Sequence, residues 1–225
     1  MDHLIIIVIL LILVFIYYNQ KNIITEGFEC LSKLQSVCKK LYIEDDNKHY
    51  CVIKNLVDKE FCQQMIKSGE DYAKVHGWTK KRHENYPTTD NEVTTEWKEY
   101  AYMRDHAVKK MACKIKKLYG ISKKKIGINE IFIVKYDIKG QRYLNYHQDG
   151  SEFSFVLALN DDYEGGGTKF KHNGKTIKLD IGDCLVFSGQ TKHRGNEITS
   201  GQRYILAGFL NYNGPTFCSN YISNL

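Results

Sequence analysis

The chain has 225 residues, 43% of them hydrophobic and 26% charged, and a formal net charge of +6. This composition supports a domain with a buried core and excludes a disordered chain, a collagen or a disulfide-stapled miniprotein. The positive excess is too small to imply a nucleic-acid partner by itself, and two prolines leave no Pro-rich linker.

Leu4 to Tyr18 is an unbroken run of aliphatic and aromatic residues. As a helix it spans about 22 Å, short of a ~30 Å hydrocarbon core unless Met1, Tyr17 and Tyr18 extend it. Its flanks, Asp2-His3 and Asn19-Gln20-Lys21, lack the positive start and small-residue exit of a cleaved signal peptide. It carries no polar stripe, as a packed surface helix would. The expectation is a membrane anchor over 1–22, a stalk helix over 23–48, a folded domain over 49–213 and a tail over 214–225. Lys21 and further lysines follow the run and none precedes it, which by charge bias sets the domain in the cytosol. The seven cysteines are scattered and form no Cys-x-x-Cys, so a zinc ribbon is excluded. They read as small buried hydrophobes with room for one disulfide.

Thr25 to Leu41 shows helical spacing of Phe28, Leu31, Leu34 and Leu41. Tyr50 to Val57 reads as a strand. Asp58 then reads as the N-cap of a helix reaching Ala73, with Phe61, Met65 and Ile66 on one face. Trp78 to Thr95 is polar, holds Pro87 and reads as a loop. Trp97 to Tyr119 predicts an amphipathic helix with Trp97, Ala101, Val108, Met111, Ala112, Ile115, Leu118 and Tyr119 on its apolar face. Its other face carries lysines, continued by Lys123, Lys124 and Lys125, and reads as solvated. The lysines have no interleaved aromatics for base stacking, so no nucleic acid is expected. From Ile128 the texture changes to short strands, at 128–136, 143–147, 153–160, 168–172, 176–179, 184–187, 193–198 and 203–210. Asn173-Gly174 is a hairpin signal. Seven or eight such strands predict a jelly-roll or barrel, and the whole reads as an α+β fold.

The chemistry gathers in the strand region. In an extended segment, residues i and i+2 share a face, so His147 and Asp149 offer an imidazole and a carboxylate side by side. His193 lies 46 residues further on, at the start of another expected strand. Two histidines and one carboxylate form a facial triad that suits ferrous iron in oxygenases and leaves positions open. Arg203 comes next, flanked by Tyr204-Ile205-Leu206 as in a core strand. A buried guanidinium behind such a site can hold the distal carboxylate of 2-oxoglutarate through two parallel hydrogen bonds.

Several stretches carry a wider likeness. They are Ile133-Val134-Lys135-Tyr136, Leu144-x-x-His147-x-Asp149-x-Ser151-x-Phe153-Ser154 and Ala158-Leu159-Asn160. Further ones are Asp162-Tyr163-Glu164-Gly165-Gly166-Gly167-Thr168-Lys169-Phe170, Gly182-Asp183, His193-x-Gly195 and Thr199-x-Gly201-x-Arg203-Tyr204. With these, Tyr50 to Leu210 resembles the iron(II)/2-oxoglutarate-dependent dioxygenases of the prolyl 4-hydroxylase and procollagen lysyl hydroxylase group. Tyr86-Pro87-Thr88-Thr89-Asp90 and Trp97 lean towards the lysyl hydroxylases, as does Arg203, where collagen prolyl 4-hydroxylases have Lys. The resemblance implies a double-stranded β-helix core with supporting N-terminal helices behind the transmembrane helix. It implies Fe(2+) on His147, Asp149 and His193. It implies 2-oxoglutarate on Arg203 and Tyr136, and L-ascorbate to restore oxidised iron. It implies a protein or peptide substrate, hydroxylated on lysine or proline, and it allows a homodimer. It also favours the secretory lumen, against the flanking charge. The glycine run reads as a tight strand connection and His172 as a surface residue. Two alternatives stand beside this reading. One is the same chemistry on a small molecule or nucleobase, which the absence of a second Arg in Tyr204–Asn213 disfavours. The other is an inactive membrane-tethered binding module, although all four key positions are filled.

Deleting residues 1–22 is expected to move the chain from the membrane to the soluble fraction with unchanged turnover. Loss of folding on deletion, read by circular dichroism, would make this segment part of the core instead.

Overall fold

The computed structural model describes residues 50–212, except Glu84 and 122–124. The expected anchor, stalk and tail, with Cys30, Cys38 and Cys218, lie outside the described residues. Among the described residues no helix is long and apolar enough to cross a membrane.

Among the described residues, eleven strands and three α-helices succeed one another. β1 (Tyr50–Ile53) stops earlier than its apolar run suggests, because the chain turns at Asn55, whose φ of 48° is left-handed. α1 (Lys59–His76) starts where the sequence indicates: the Asp58 carboxylate accepts the Phe61 N–H at 2.8 Å. Its buried face is Cys62, Met65 and Gly69, with Phe61 and Ile66 half-buried at the margins. Gly69 lets the helix approach Ile133 closely: a methyl group on it would stand 2.7 Å from Ile133 Cδ1, whose side chain would have to shift.

The segment expected to be a loop contains a strand, β2 (Asp90–Glu92), paired along the edge of β3 (Ile126–Asp137). The expected single helix is three pieces: α2 (Lys98–Tyr102), a π-helical turn (Met103–Ala107) and α3 (Val108–Tyr119). A π-turn adds a residue to one turn and so rotates the helix on its N-terminal side relative to the helix on its C-terminal side. Ala101 is therefore exposed, while Glu99, Met103 and Ala107 join Val108, Met111 and Ile115 in the interior.

The remaining strands are β4 (Leu144–His147), β5 (Phe153–Ala158), β6 (Tyr163–Gly165), β7 (Thr168–Phe170), β8 (Thr176–Ile177), β9 (Cys184–Ser188), β10 (His193–Gly195) and β11 (Ile198–Tyr212). All pairings are antiparallel. The large sheet runs β1-β9-β5-β11-β3-β2, with β6 on the end of β11; the small one runs β4-β10-β7-β8. Fold class is thus mixed, with helices and antiparallel strands. The Asn173-Gly174 signal does join a hairpin, β7 to β8. The predicted strand over 193–198 is short, because Ile198 already belongs to β11.

Alternation along β3, β5, β9 and β11 sends two sets of side chains to opposite faces. Ile133 meets Gly69 of α1 on one face, and the Cys184 thiol there reaches Met111 Sδ at 3.6 Å. The other face presents Phe132, Val134, Tyr136, Val156, Phe187 and Ile205, which pack with Phe170 of the small sheet. Burying each such large apolar side chain is worth roughly 1.5–3 kcal/mol, so this layer between the sheets is the main store of stability around the site. The described cysteines, Cys51, Cys62, Cys113 and Cys184, are free.

Gly165, Gly166 and Gly167 all have positive φ, at 80°, 65° and 93°. Gly165 has a second constraint, for a methyl group there would lie 2.5 Å from the Glu197 carbonyl oxygen. Gly165→Ala is expected to cost about 1–3 kcal/mol through backbone strain, lowering Tm by several degrees. An unchanged thermal melt would contradict this account of the glycine run.

Candidate active site

Pairing of β4 with β10 sets His147 opposite His193. Directly opposed residues of an antiparallel pair point to one face, so both imidazoles stand together with ring centroids 4.3 Å apart. The register shifts between His193 and Gly195, a bulge of the kind that re-aims side chains. Asp149 lies just past the end of β4, in the chain that turns towards β5. Its N–H donates to the Gly189 carbonyl at 2.8 Å, and Gln190 Nε2 donates to its carbonyl at 3.3 Å. Ser154 Oγ donates to its carboxylate. The carboxylate thus reaches His147 Nε2 at 3.4 Å and His193 Nε2 at 3.7 Å. All three ligand atoms lie within 4.8 Å of one another. Bonds of about 2 Å at right angles put neighbouring donors about 3 Å apart, so a small shift closes this cluster on one ion.

Both imidazoles are oriented from behind. His147 Nδ1 faces the Asn145 carbonyl at 2.8 Å, and His193 Nδ1 faces the Thr191 carbonyl at 2.8 Å. A carbonyl accepts only from a protonated Nδ1, which leaves each Nε2 lone pair free for a metal. Burial disfavours a charged His147, but the Asp149 carboxylate beside it outweighs burial and raises its pKa above 6.5. At His193, slightly farther from Asp149, burial wins and the pKa is lowered. Burial pushes the Asp149 carboxyl up, yet both histidines and Ser154 outweigh that and hold it below 3.8.

Arg203 is the second centre. It is 3% exposed, and its Nε has no hydrogen-bond partner among the described residues. Its guanidinium instead stands 5.3 Å from the Tyr136 ring and 5.9 Å from the Tyr163 ring. Tyr136 faces Arg203 across the β3–β11 ladder, and both line the cavity of about 260 Å³ that holds the His147, Asp149 and His193 cluster. Two glycines make the room. A methyl group on Gly195 would lie 2.7 Å from Tyr136 Oη, and one on Gly166 would lie 3.2 Å from Arg203 Cδ. Burial raises the Tyr136 pKa despite the opposing Arg203 charge, so its hydroxyl keeps its proton. All five residues singled out from sequence therefore share one cavity. His172, as expected, is exposed and takes no part in its lining. Sequence reasoning missed the individual residues that the 83–88 segment adds to the wall, among them His83, Tyr86 and Thr88. The Tyr86-Pro87-Thr88 stretch was the signal available. For His83 there was none, because neither spacing nor composition ties it to residues more than 60 positions away.

No protein-family model matches the chain. A Caenorhabditis elegans protein, "multifunctional procollagen lysine hydroxylase and glycosyltransferase", is 32% identical over 171 residues, 69% of this chain and 23% of that protein. A mimivirus "procollagen lysyl hydroxylase and glycosyltransferase" is 32% identical over 201 residues, 81% of this chain and 22% of that protein. Among solved structures, a Pseudomonas putida prolyl-4-hydroxylase matches with a TM-score of 0.57 at 15% identity, covering 75% of this chain and 95% of that one. The viral collagen prolyl hydroxylase of Paramecium bursaria Chlorella virus-1 matches with 0.56 at 16%, covering 73% and 97%.

The matched region is similar in sequence to procollagen lysine hydroxylases, and its fold is that of the prolyl hydroxylase structures. The chain spans less than a quarter of the length of the curated relatives it matches. The site itself fits iron(II) and 2-oxoglutarate on the chemistry of its residues. Two imidazoles and one carboxylate are an oxygenase-type donor set. Arg203, buried with its Nε left without a hydrogen-bond partner among the described residues, is matched to a carboxylate.

Metal affinity should depend on pH through one group. Asp149 stays ionised and His193 stays neutral near pH 7, whereas His147, its pKa raised above 6.5, must lose a proton to bind. Manganese(II) affinity is expected to fall about tenfold per unit as pH drops below the His147 pKa, with one proton released per ion. Calorimetry in buffers of different ionisation enthalpy measures that proton. A pH-independent affinity between about pH 6 and pH 8 would contradict the assignment.

Proposed function

We propose that the chain is an iron(II)- and 2-oxoglutarate-dependent dioxygenase that hydroxylates a lysine or proline side chain of a protein substrate. The observation that carries this reading is the cluster of His147, Asp149 and His193 in the same cavity as the buried Arg203. The names of the relatives, procollagen lysine hydroxylases, support a peptidyl substrate.

His147 Nε2, the Asp149 carboxylate and His193 Nε2 would hold the iron. Arg203 and Tyr136 would hold the distal carboxylate of 2-oxoglutarate. When bound, the pair supplies activation of O₂, which inserts one oxygen into a C–H bond and converts 2-oxoglutarate to succinate and CO₂. The chain's part is placement. Asn145 and Thr191 carbonyls fix the imidazole tautomers, and Ser154 fixes the carboxylate. Arg203 offers a planar pair of N–H donors from a wall that also contains Val134, Val156 and Ile205. These apolar neighbours limit water, which strengthens each charged contact inside. L-ascorbate as a restoring reductant and Leu4–Tyr18 as the membrane tether complete the proposal.

The test is incubation of the full chain with iron(II), 2-oxoglutarate and ascorbate on collagen-like peptides, with mass spectrometry for a gain of one oxygen on Lys or Pro. Succinate release without any such gain on either residue would overturn the substrate class. Arg203→Ala is expected to raise the 2-oxoglutarate KM about 10- to 100-fold, the value of a charged hydrogen-bonded pair. Metal affinity should change little in that variant, and Arg203→Lys should lose less. An Ala variant with the wild-type KM would place the carboxylate elsewhere.

A further inference from the structure

One polar group in this cavity has no duty in the assignments above. His83 lies on the segment before β2, and its ring lines the cavity with His147, Asp149 and His193. Its Nε2 is buried and has no hydrogen-bond partner among the described residues. The ring is firmly placed. It packs on Phe132 at 4.9 Å between centroids and edge-on to Phe209 at 6.1 Å, and both rings also line the cavity. Its chain neighbour Arg82 is tied down at the same time. Arg82 Nη1 donates to Asp90 at 2.7 Å, Nη2 donates to Glu130, and the guanidinium stands 5.2 Å from the Phe132 ring. Asp90 is fully buried and also accepts from Thr88 Oγ1. Arg82 therefore fastens the 82–90 segment to β2 and β3, and His83 is held facing the cavity rather than free to turn into solvent.

A buried nitrogen without a partner in the wall of a cavity is a site for a group brought by a ligand. The iron ligands and Arg203 account for the metal and the carboxylate, so the group left to meet His83 belongs to the substrate. The two candidate substrates differ here. A lysine side chain ends in a primary amine, a few bonds from any carbon it could have hydroxylated. Drawing that carbon to the metal cluster draws the amine into the cavity, where it loses water and needs an acceptor. Phe132, Phe209 and Val156 cannot accept. An imidazole whose proton is on Nδ1 accepts at Nε2. A prolyl ring inside a peptide has no N–H to give and leaves the nitrogen unsatisfied.

We propose that His83 Nε2 accepts a hydrogen bond from the primary amine of the target lysine and thereby selects lysine over proline. This rests on the reading of the chain as a peptidyl hydroxylase and narrows its substrate. His83 is then a specificity residue, not a member of the metal site.

The experiment uses the full chain and three collagen-like peptides that differ only in Lys, norleucine or Pro at the target position. Peptide dissociation constants are measured by fluorescence anisotropy with manganese(II) and 2-oxoglutarate present, and succinate release with iron(II) is measured separately. Wild type is expected to bind the lysyl peptide at least about tenfold more tightly than the other two, the discrimination of a site built around a substrate N–H. In His83→Phe that preference should shrink to about twofold, the norleucyl affinity staying put, and His83→Gln should restore part of it through its amide oxygen. If His83→Phe does not fold, the comparison is made with His83→Leu. A lysyl preference unchanged in the Phe or Leu variant, or absent in wild type, overturns the proposal. Wild-type chain that releases no succinate under any condition overturns the oxygenase reading, and this proposal with it.

Discussion

The antiparallel register of β4 against β10 is the constraint on which the site depends. It sets His147 and His193 directly opposite each other, and the turn pinned at Gly189 swings Asp149 to both. A slip of one residue would send an imidazole to the opposite face of the small sheet and dissolve the cluster. Flanking features hold the register. The neighbouring β7 pairs with β10 on its other side, and Phe170 opposite His193 is fully buried. The Phe187 ring of the large sheet packs edge-on against the His193 ring at 4.5 Å between centroids. Core packing and site geometry are here the same contacts.

The large sheet supplies the other half. Strand β11 pairs with β3 at Arg203 itself and with β5 from Ile205 onward, so Arg203 emerges from a backbone with little freedom. Tyr136 on the adjacent strand, and the small residues Gly166 and Gly195, shape the space around it. Burying a guanidinium without an ionic partner is unfavourable for folding. Aromatic faces at Tyr136 and Tyr163 offset part of that cost. The remainder is consistent with a site that trades stability for readiness to bind an anion.

Legibility from sequence tracks the range of the physics involved. The i, i+2 spacing of His147 and Asp149 is local, so their kinship was legible, although Asp149 acts from a turn and not from the strand. The Asp58 cap and the Asn173-Gly174 hairpin were legible for the same reason. That His193 and Arg203 belong with them was legible through the resemblance, since a partner 46 residues away is chosen by strand register, which no local pattern reports. The π-turn at Met103–Ala107 was invisible because it breaks the 3.6 period used to find the helix. Strand β2 was hidden because Asp90, Asn91 and Glu92 lack the apolar alternation of a strand. Asp90 is buried only because Arg82 and Thr88 satisfy it. His83 was unreadable by the same token, its placement being the work of that buried ion pair and two phenylalanines from distant strands.

The central claim is that one metal ion binds between His147, Asp149 and His193. Anomalous diffraction from crystals of the chain grown with manganese(II) tests it directly. The account predicts a single strong peak within bonding distance, about 2 Å, of both Nε2 atoms and the Asp149 carboxylate. A peak elsewhere, or none at this cluster with the ion in excess, would contradict it.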